Sequence, residues 1–375
     1  MDIPLTYGDT AAIANFQRAS GPHAMQALRK TEPSHGLTLT QADMPAPGPG
    51  EVLLRVHSAG VCGTDLHIAE WTRSYHFLTP ALPVTIGHEF SGEIAALGEG
   101  AGNLAPGLTV GQMVAVRPSV TCGRCAACTS GNFDGCTTRR GIGVLRNGGF
   151  APWAAVPLRN CVPVPAGVQG DVAALAEPLT VSHEAVRTAG VRPGHRVLVL
   201  GPGNIGQGIA LFARAAGAAQ VVVAGHGDAP RLAVLRAMGF DDVLDFEGSD
   251  MDAALAPYLA RGRFDAVIEA TGAAAVIAPA LRALKVHGVL VITGIHAAPV
   301  PIDLTALVRN HQELRGSYRA PESAWPEVVR FMQEHQPLLR QMITHRVPLS
   351  RAEEGFALAR ARHASKVLVQ PEHQA

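Results

Sequence analysis

The sequence predicts an α/β protein in two parts, a β-rich unit and a doubly wound parallel sheet with helices on both faces. Three observations predict it. Short apolar runs punctuated by Gly and Pro fill the chain to about residue 180, the pattern of an all-β, partly closed barrel-like unit. From residue 195 onward, fully apolar strands alternate with segments of helical spacing, which implies parallel strands buried on both faces. A glycine loop joins the first of those strands to the first of those helices.

Composition agrees. A chain of 375 residues suggests two domains, and 47% hydrophobic against 17% charged residues supplies two cores and argues against disorder. Lys plus Arg and Asp plus Glu stand at 31 each, so no basic excess recruits nucleic acid and no global field steers a substrate. The opening MDIPLTYGDTAAIANFQ lacks a basic segment followed by an apolar run. Gly, Arg and His interrupt every apolar run before the ~20 residues of a membrane span. The expectation is a soluble, cytoplasmic protein with no membrane and no nucleic-acid partner.

In the β-rich part the strand candidates are EVLLRV (51–56), SGEIAALG (91–98), VGQMVAVRP (110–118) and CVPVP (161–165). Residues 1–22 show no pattern and read as an extension over the surface. RVLVL (196–200), GNIGQGIALFARAAGA, QVVVAG and PRLAVLRAMG then give strand, helix, strand, helix. DAVIEA, GVLVIT and ELRGSY continue the strands, spaced by segments such as AAVIAPALRAL. After residue 320 come a helix (ESAWPEVVRFMQEHQ), a strand near ITHRVP, a helix at RAEEGFALARAR and a last strand KVLV, a tail expected to return to the β-rich part. The domains are therefore expected at 1–184 with 330–375, and at 185–329.

Cys122, Cys125, Cys128 and Cys136 form C-x2-C-x2-C-x7-C. Four thiolates at this spacing can close a tetrahedron about zinc without help from distant chain, and such a closed site is structural. Unconnected buried cysteines would be scattered rather than crowded into one segment. An iron–sulfur cluster also takes four cysteines, but the bacterial ferredoxin pattern places Pro after the last one, and here Thr137 follows. Cys161 reads as an inert buried thiol.

A second set is spread over VCGTDLH (61–67), IGHEFSG (86–92) and LAEPLTVSHEAV (175–186). Cys62, His88, Glu89 and Glu177 would give mixed S, N and O donors with one position left for water or substrate, which suits a catalytic zinc. Each piece alone is weak. A lone His-Glu pair is usually a turn, and a lone Cys a small core residue.

Gly201, Gly203 and Gly206, in G-P-G-N-I-G, follow an apolar strand and open a helix. The glycines permit a tight turn and close backbone approach, and the helix N-terminus receives a pyrophosphate. The acid expected at the end of the next strand to hold the adenosine ribose is missing, because VVVAGHGDAPRL places Gly225 and His226 there. Its loss removes a repulsion against a 2'-phosphate that His226 or Arg231 could contact. NAD is the expectation, with NADP left open.

Together these residues resemble the zinc-containing medium-chain dehydrogenase/reductase family, from AMQALRK near residue 24 to KVLVQP near the end. VCGTDLHIAEW, IGHEFSGEI and AEPL are most similar to the L-threonine 3-dehydrogenases and sorbitol (polyol) dehydrogenases. The liver-type alcohol dehydrogenases carry Cys where Glu177 stands. The resemblance implies a GroES-like, partly closed β-barrel catalytic domain plus a Rossmann cofactor domain. It also implies one catalytic and one structural zinc per subunit, NAD or NADP, and a homotetramer or homodimer acting on a small secondary alcohol or its ketone. Cys62 and His88 match catalytic zinc ligands, and Glu89 and Glu177 are alternative direct ligands. Thr64 matches the hydroxyl that bonds the substrate oxygen, His67 the outer end of a proton relay, and Asp65 a carboxylate that orients a ligand. Gly201, Gly203, Asn204, Ile205 and Gly206 match the dinucleotide loop, Arg231 a contact to the adenosine ribose, and Thr271 and Ile295 the nicotinamide side.

Plainer uses stand beside these. Thr64 and Asp65 could cap a helix beginning at Leu66, His67 and Arg231 could be solvated, and His183, His296 and His345 are not expected as ligands. Trp71, Tyr75 and Phe77 suggest an aromatic wall or core packing. The rival functions are a zinc-free quinone or enoyl reductase on the same fold, which has no use for the cysteine and Glu sets, and a non-catalytic protein binding zinc and dinucleotide.

Overall fold

The computed structural model describes residues 24–105 and 107–373, and the surface extension expected at 1–22 lies outside the described residues. The first part carries β1 (Ala24–Lys30), β2 (Thr38–Asp43), β3 (Glu51–Gly60), β4 (Val84–Thr85), β5 (Glu89–Leu97), β6 (Met113–Val116), β7 (Ser119–Val120), β8 (Arg140–Gly141), β9 (Trp153–Pro157) and β10 (Cys161–Pro163). The second carries β11 (Arg196–Leu200), β12 (Gln220–Gly225), β13 (Val243–Asp245), β14 (Phe264–Glu269), β15 (Leu284–Ile292) and β16 (Glu313–Gly316), with β17 (Ile343–Pro348) and β18 (Lys366–Gln370) closing the chain.

Strand β3 organises the first part. It pairs antiparallel with β5, β9 and β18, and the sheet runs β10-β6-β5-β3-β18-β17 with β9 added to β3. The tail thus joins the sheet that begins the chain. The order ends at β10 and β17 and does not close on itself. In β3 every residue from Val52 to Gly60 is buried except Arg55 and His57, and Val52, Leu54 and Val56 share a core with Phe90, Ile94, Val367 and Val369. Removing each such side chain from water contributes about 1.5–3 kcal/mol.

The second sheet is parallel throughout, in the order β13-β12-β11-β14-β15-β16. Strand β11 explains why its sequence is an unbroken apolar run. Val197 and Val199 feed the core on one face and Leu198 and Leu200 the core on the other. The order reverses between β11 and β14, and ligands of open α/β sheets bind at the carboxyl ends of strands at such a switch point.

Several boundaries differ from expectation. VGQMVAVRP is a strand only over Met113–Val116, because Gly111 turns the chain at φ 87°. The predicted helix ESAWPEVVRFMQEHQ runs on to Met342, passing a non-helical His335 at φ −120° just before Pro337. It resumes because Leu339 and Met342 are buried. Strands β1 and β2 and the helix Met251–Leu259 went unpredicted. Among the described residues, no helix is long and apolar enough to cross a membrane.

Candidate active site

Helix α1 (Gly63–Glu70) follows directly from β3 and begins at Cys62, its N-cap. Asp65 closes the first turn, its Oδ2 accepting from the Cys62 amide at 2.9 Å. The other oxygen, Oδ1, lies 3.7 Å from His88 Nδ1. Asp65 therefore caps the helix and also faces His88, uses that the sequence presented as alternatives. His88 stands just before β5 and Glu89 is its first residue, so the β3–β5 pairing brings Glu89 opposite Gly60.

Cys62, His88 and Glu89 each offer a ligand atom, and these atoms lie within 4.8 Å of one another. Asp65 is fully buried, His88 and Glu89 nearly so, yet Asp65 Oδ1 and His88 Nδ1 have no hydrogen-bond partner. Buried polar atoms are rarely left so. Burial opposes a charge on His88, but Cys62 and Asp65 outweigh it and hold the imidazole well above its ordinary value. Burial, with Glu89 adding, raises the Cys62 thiol. One metal cation would relieve this crowding of donors, so the trio fits zinc. Glu177, in the first turn of α2 (Ala176–Ala189), lies outside the trio. Burial pushes its carboxyl up to about 7, with His88 opposing and Glu89 adding.

Thr64 and His67 share α1. Thr64 Oγ1 accepts from the Tyr75 hydroxyl at 3.1 Å, and Tyr75 stacks on His67 with centroids 6.0 Å apart. Tyr75 thus belongs to the site, whereas Phe77 is exposed and Trp71 packs against Lys30 and His76. His67 Nδ1 is buried without a partner, so the ring is not the solvated surface residue of the plainer reading.

The four clustered cysteines also converge, with sulfur atoms within 4.8 Å of one another. None of the six cysteines is in a disulfide. The Cys125 amide donates to Cys122 Sγ and the Cys122 amide to Cys136 Sγ, both at 3.4 Å. Thr138, with the Arg124 and Cys125 amides, holds the Cys122 thiol down to about 5. Amide-solvated sulfurs in a tetrad fit a structural zinc.

At the switch point, Gly201 takes φ 104° and Gly206 opens the way for the helix α3 (Asn204–Ala215). A Cβ on Gly206 would stand 1.7 Å from Gly201 O. Around Gly203 the space is open, its nearest neighbour being Arg231 Nη1 at 4.0 Å. Asn204 Oδ1 is buried and unpartnered, while Ile205 packs on the core. A cradle of this shape fits a dinucleotide pyrophosphate. Thr271 adjoins Gly201, and Ile295 O adjoins Gly272. Glu269, fully buried, was missed by sequence reasoning. Its Oε1 accepts from the Thr271 amide and hydroxyl at 2.5 Å and from the Gly272 amide at 2.8 Å. An acid ending a predicted strand was the available signal. Arg231 donates to Ala364 O at 2.8 Å and lies 3.4 Å from Asp228, its side chain only 17% exposed and not the solvated group of the plainer reading.

Residues 48–166 match the family described as alcohol dehydrogenase GroES-like domain, and residues 204–334 that described as zinc-binding dehydrogenase. The chain is 35% identical over 320 residues to the L-galactonate-5-dehydrogenase of Escherichia coli K12, covering 85% of this chain and 91% of that one. It is 33% identical over 348 residues to an L-threonine 3-dehydrogenase of Rhizobium etli (92% and 98%). It is 30% identical over 350 residues to a sorbitol dehydrogenase of Halalkalibacterium halodurans (92% and 99%). Among solved structures, a zinc-binding dehydrogenase of Sinorhizobium meliloti 1021 bound to NADP superimposes with a TM-score of 0.83 at 28% identity, over 93% of this chain and all of that one. The chain is therefore a member of the zinc-containing medium-chain dehydrogenase/reductase family, oxidoreductases that pass a hydride between a CH–OH group and a nicotinamide cofactor.

Proposed function

We propose that Cys62, His88 and Glu89 hold the catalytic zinc, that the tetrad Cys122, Cys125, Cys128 and Cys136 holds the structural one, and that the chain interconverts a small secondary alcohol and its ketone using NAD or NADP. The substrate is of the polyol or amino-alcohol class, to which the names of its relatives belong. The observation that carries this reading is the convergence of the trio, with His88 and Glu89 buried and unpartnered atoms on His88 and Asp65. When bound, a zinc ion supplies Lewis acidity toward an alcohol oxygen. Asp65 orients His88, and Lys366 orients Glu89 through a 2.5 Å ion pair. Thr64, already accepting from Tyr75, has its own proton free to donate toward a substrate oxygen. His67 takes the proton outward. Glu177 stands by as an alternative ligand, in reserve because it lies outside the trio. Gly201, Gly203, Asn204 and Gly206 cradle the pyrophosphate, Arg231 faces the adenosine ribose, and Thr271 and Ile295 flank the nicotinamide. The division into 1–184 with 330–375 and 185–329, and a cytoplasmic location, belong to the same reading.

A homodimer or homotetramer is supported by the edge strand β16, unpaired on one side. Nearby Leu304, Val308 and Leu314 are 66%, 67% and 42% exposed, and bare edges are normally covered. Sedimentation of the purified chain tests it.

The deciding experiment pairs metal analysis with the absorbance of reduced nicotinamide, over threonine, polyols and simple secondary alcohols. Two zinc ions per chain and reduction of the cofactor by any of these alcohols are expected, with Cys62→Ser losing one zinc and nearly all turnover. One zinc and no turnover would overturn the assignment of the trio and favour a non-catalytic protein.

A further inference from the structure

The end of β12 is more than a place where an acid is missing. A Cβ on Gly225 would stand 2.8 Å from Pro202 Cγ and 3.2 Å from Asp228 Cβ, so a side chain there would have to displace Pro202. The acid that would bind a ribose 2'-hydroxyl and repel a 2'-phosphate is absent, and Pro202 crowds the position it would take.

Cationic side chains gather at the same spot. Arg362 lies two residues beyond the helix Ala352–Arg360 and takes the left-handed conformation, φ 58°. Helices commonly end on such a residue, and it is usually Gly. A side chain with a Cβ is disfavoured there, and strain of this kind points to a use for the side chain. The Arg362 side chain is 59% exposed and its Nη1 is 3.7 Å from Asp228 Oδ2 and 3.5 Å from His226 O. Arg231 approaches the same carboxylate from the other oxygen, at 3.4 Å, and its Nη1 borders the open face of Gly203. One buried carboxylate thus serves two guanidinium groups at long distances, and His226 stands exposed between Gly225 and Gly227. Of the acids next along, Asp245 accepts from the Gly227 and Glu247 amides, and Glu247 is exposed to solvent against Gly227.

We propose that Arg362, Arg231 and His226 form a site for the 2'-phosphate of NADP(H), so that this chain prefers the phosphorylated dinucleotide. A planar guanidinium matches phosphate oxygens in pairs. A dianionic phosphate would take the charge of Arg362 that Asp228 leaves unmatched. The proposal rests on the reading of Gly201–Gly206 as a dinucleotide loop.

Calorimetric titration of the full chain with NADP+, NAD+, 2',5'-ADP and 5'-AMP tests it without reference to turnover. NADP+ is expected to bind at least about tenfold more tightly than NAD+, and 2',5'-ADP more tightly than 5'-AMP. The variant Arg362→Gly suits the backbone there, so it should fold with an unchanged or higher thermal midpoint. It should lose about tenfold in NADP+ affinity and nothing in NAD+ affinity. NAD+ binding as tightly as NADP+ would overturn the proposal. So would an Arg362→Gly variant with unaltered NADP+ affinity, which would make the two arginines a latch on Asp228 only. Binding of neither dinucleotide would bring down the glycine-loop reading as well, and is thereby told apart from a simple preference for NAD+.

Discussion

Lys366 Nζ lies 2.5 Å from Glu89 Oε2, and the two side chains are 3% and 1% exposed. The pair joins the last strand to the trio of Cys62, His88 and Glu89 across most of the sequence. The Val61 carbonyl accepts a second bond from the ammonium at 3.0 Å. Gly60 makes the room, since a Cβ there would stand 2.4 Å from Glu89 Oε2. Removing one partner of a buried pair leaves an uncompensated charge, at a cost of about 3–5 kcal/mol. Lys366→Met is expected to lose that much stability in chemical denaturation, and Lys366→Met with Glu89→Gln to recover part of it. A loss for the single variant no larger than that for the double would show that Glu89 is held by something else.

The cysteine lobe makes a separate prediction. Because its sulfurs are solvated by their own loop amides, the site is built by local chain and should fail locally. Cys128→Ser is expected to lower bound zinc by one ion per chain and to depress the thermal midpoint. Affinity for the dinucleotide should be unchanged, because the glycine loop lies in the other sheet. Metal analysis and calorimetry on one sample read both.

Tyr75 offers a kinetic test. Its hydroxyl is the donor to Thr64 Oγ1, and burial raises its pKa, so it remains a phenol. Tyr75→Phe removes that donor and is expected to lower kcat/KM about tenfold, the effect of one hydrogen bond. Thr64→Ala should cost more. If Tyr75 acts only through Thr64, the double variant should match Thr64→Ala alone, and additive losses would give Tyr75 an independent role.

Which features the sequence disclosed follows from their range. Strand β11 was legible because both faces are buried, which forces an unbroken apolar run. The cysteine tetrad was legible because its ligands are close in sequence. The trio needed a resemblance, since nothing in the chain between Cys62 and His88 announces that β3 and β5 bring them together. Lys366 opposite Glu89 left no trace, because a side-chain pair joining distant strands produces no periodicity. Nor does any pattern mark Lys30, which is fully buried, held by the Ser34 and Gly36 carbonyls and 5.0 Å from the Trp71 ring centroid. Arg231 was assigned to the adenosine ribose, and only the fold reveals its bond to Ala364.

The last prediction concerns acid stability. Asp265 accepts from the Arg196 amide at 2.8 Å and is bonded by the Lys285 ammonium. Burial opposes its ionisation, but Lys285 and the Arg196 amide outweigh that and hold the carboxyl below its ordinary range. A carboxyl depressed in the folded state stabilises above its unfolded pKa of about 3.9, and the contribution fades as pH falls through the lower folded value. Asp265→Asn is therefore expected to lose about 1–2 kcal/mol near neutrality. Its stability should converge with that of the parent chain as the pH falls below about 4. Denaturation midpoints from neutral to acid pH measure this directly. A deficit that stays constant into acid would mean that the contact contributes through shape and not through charge.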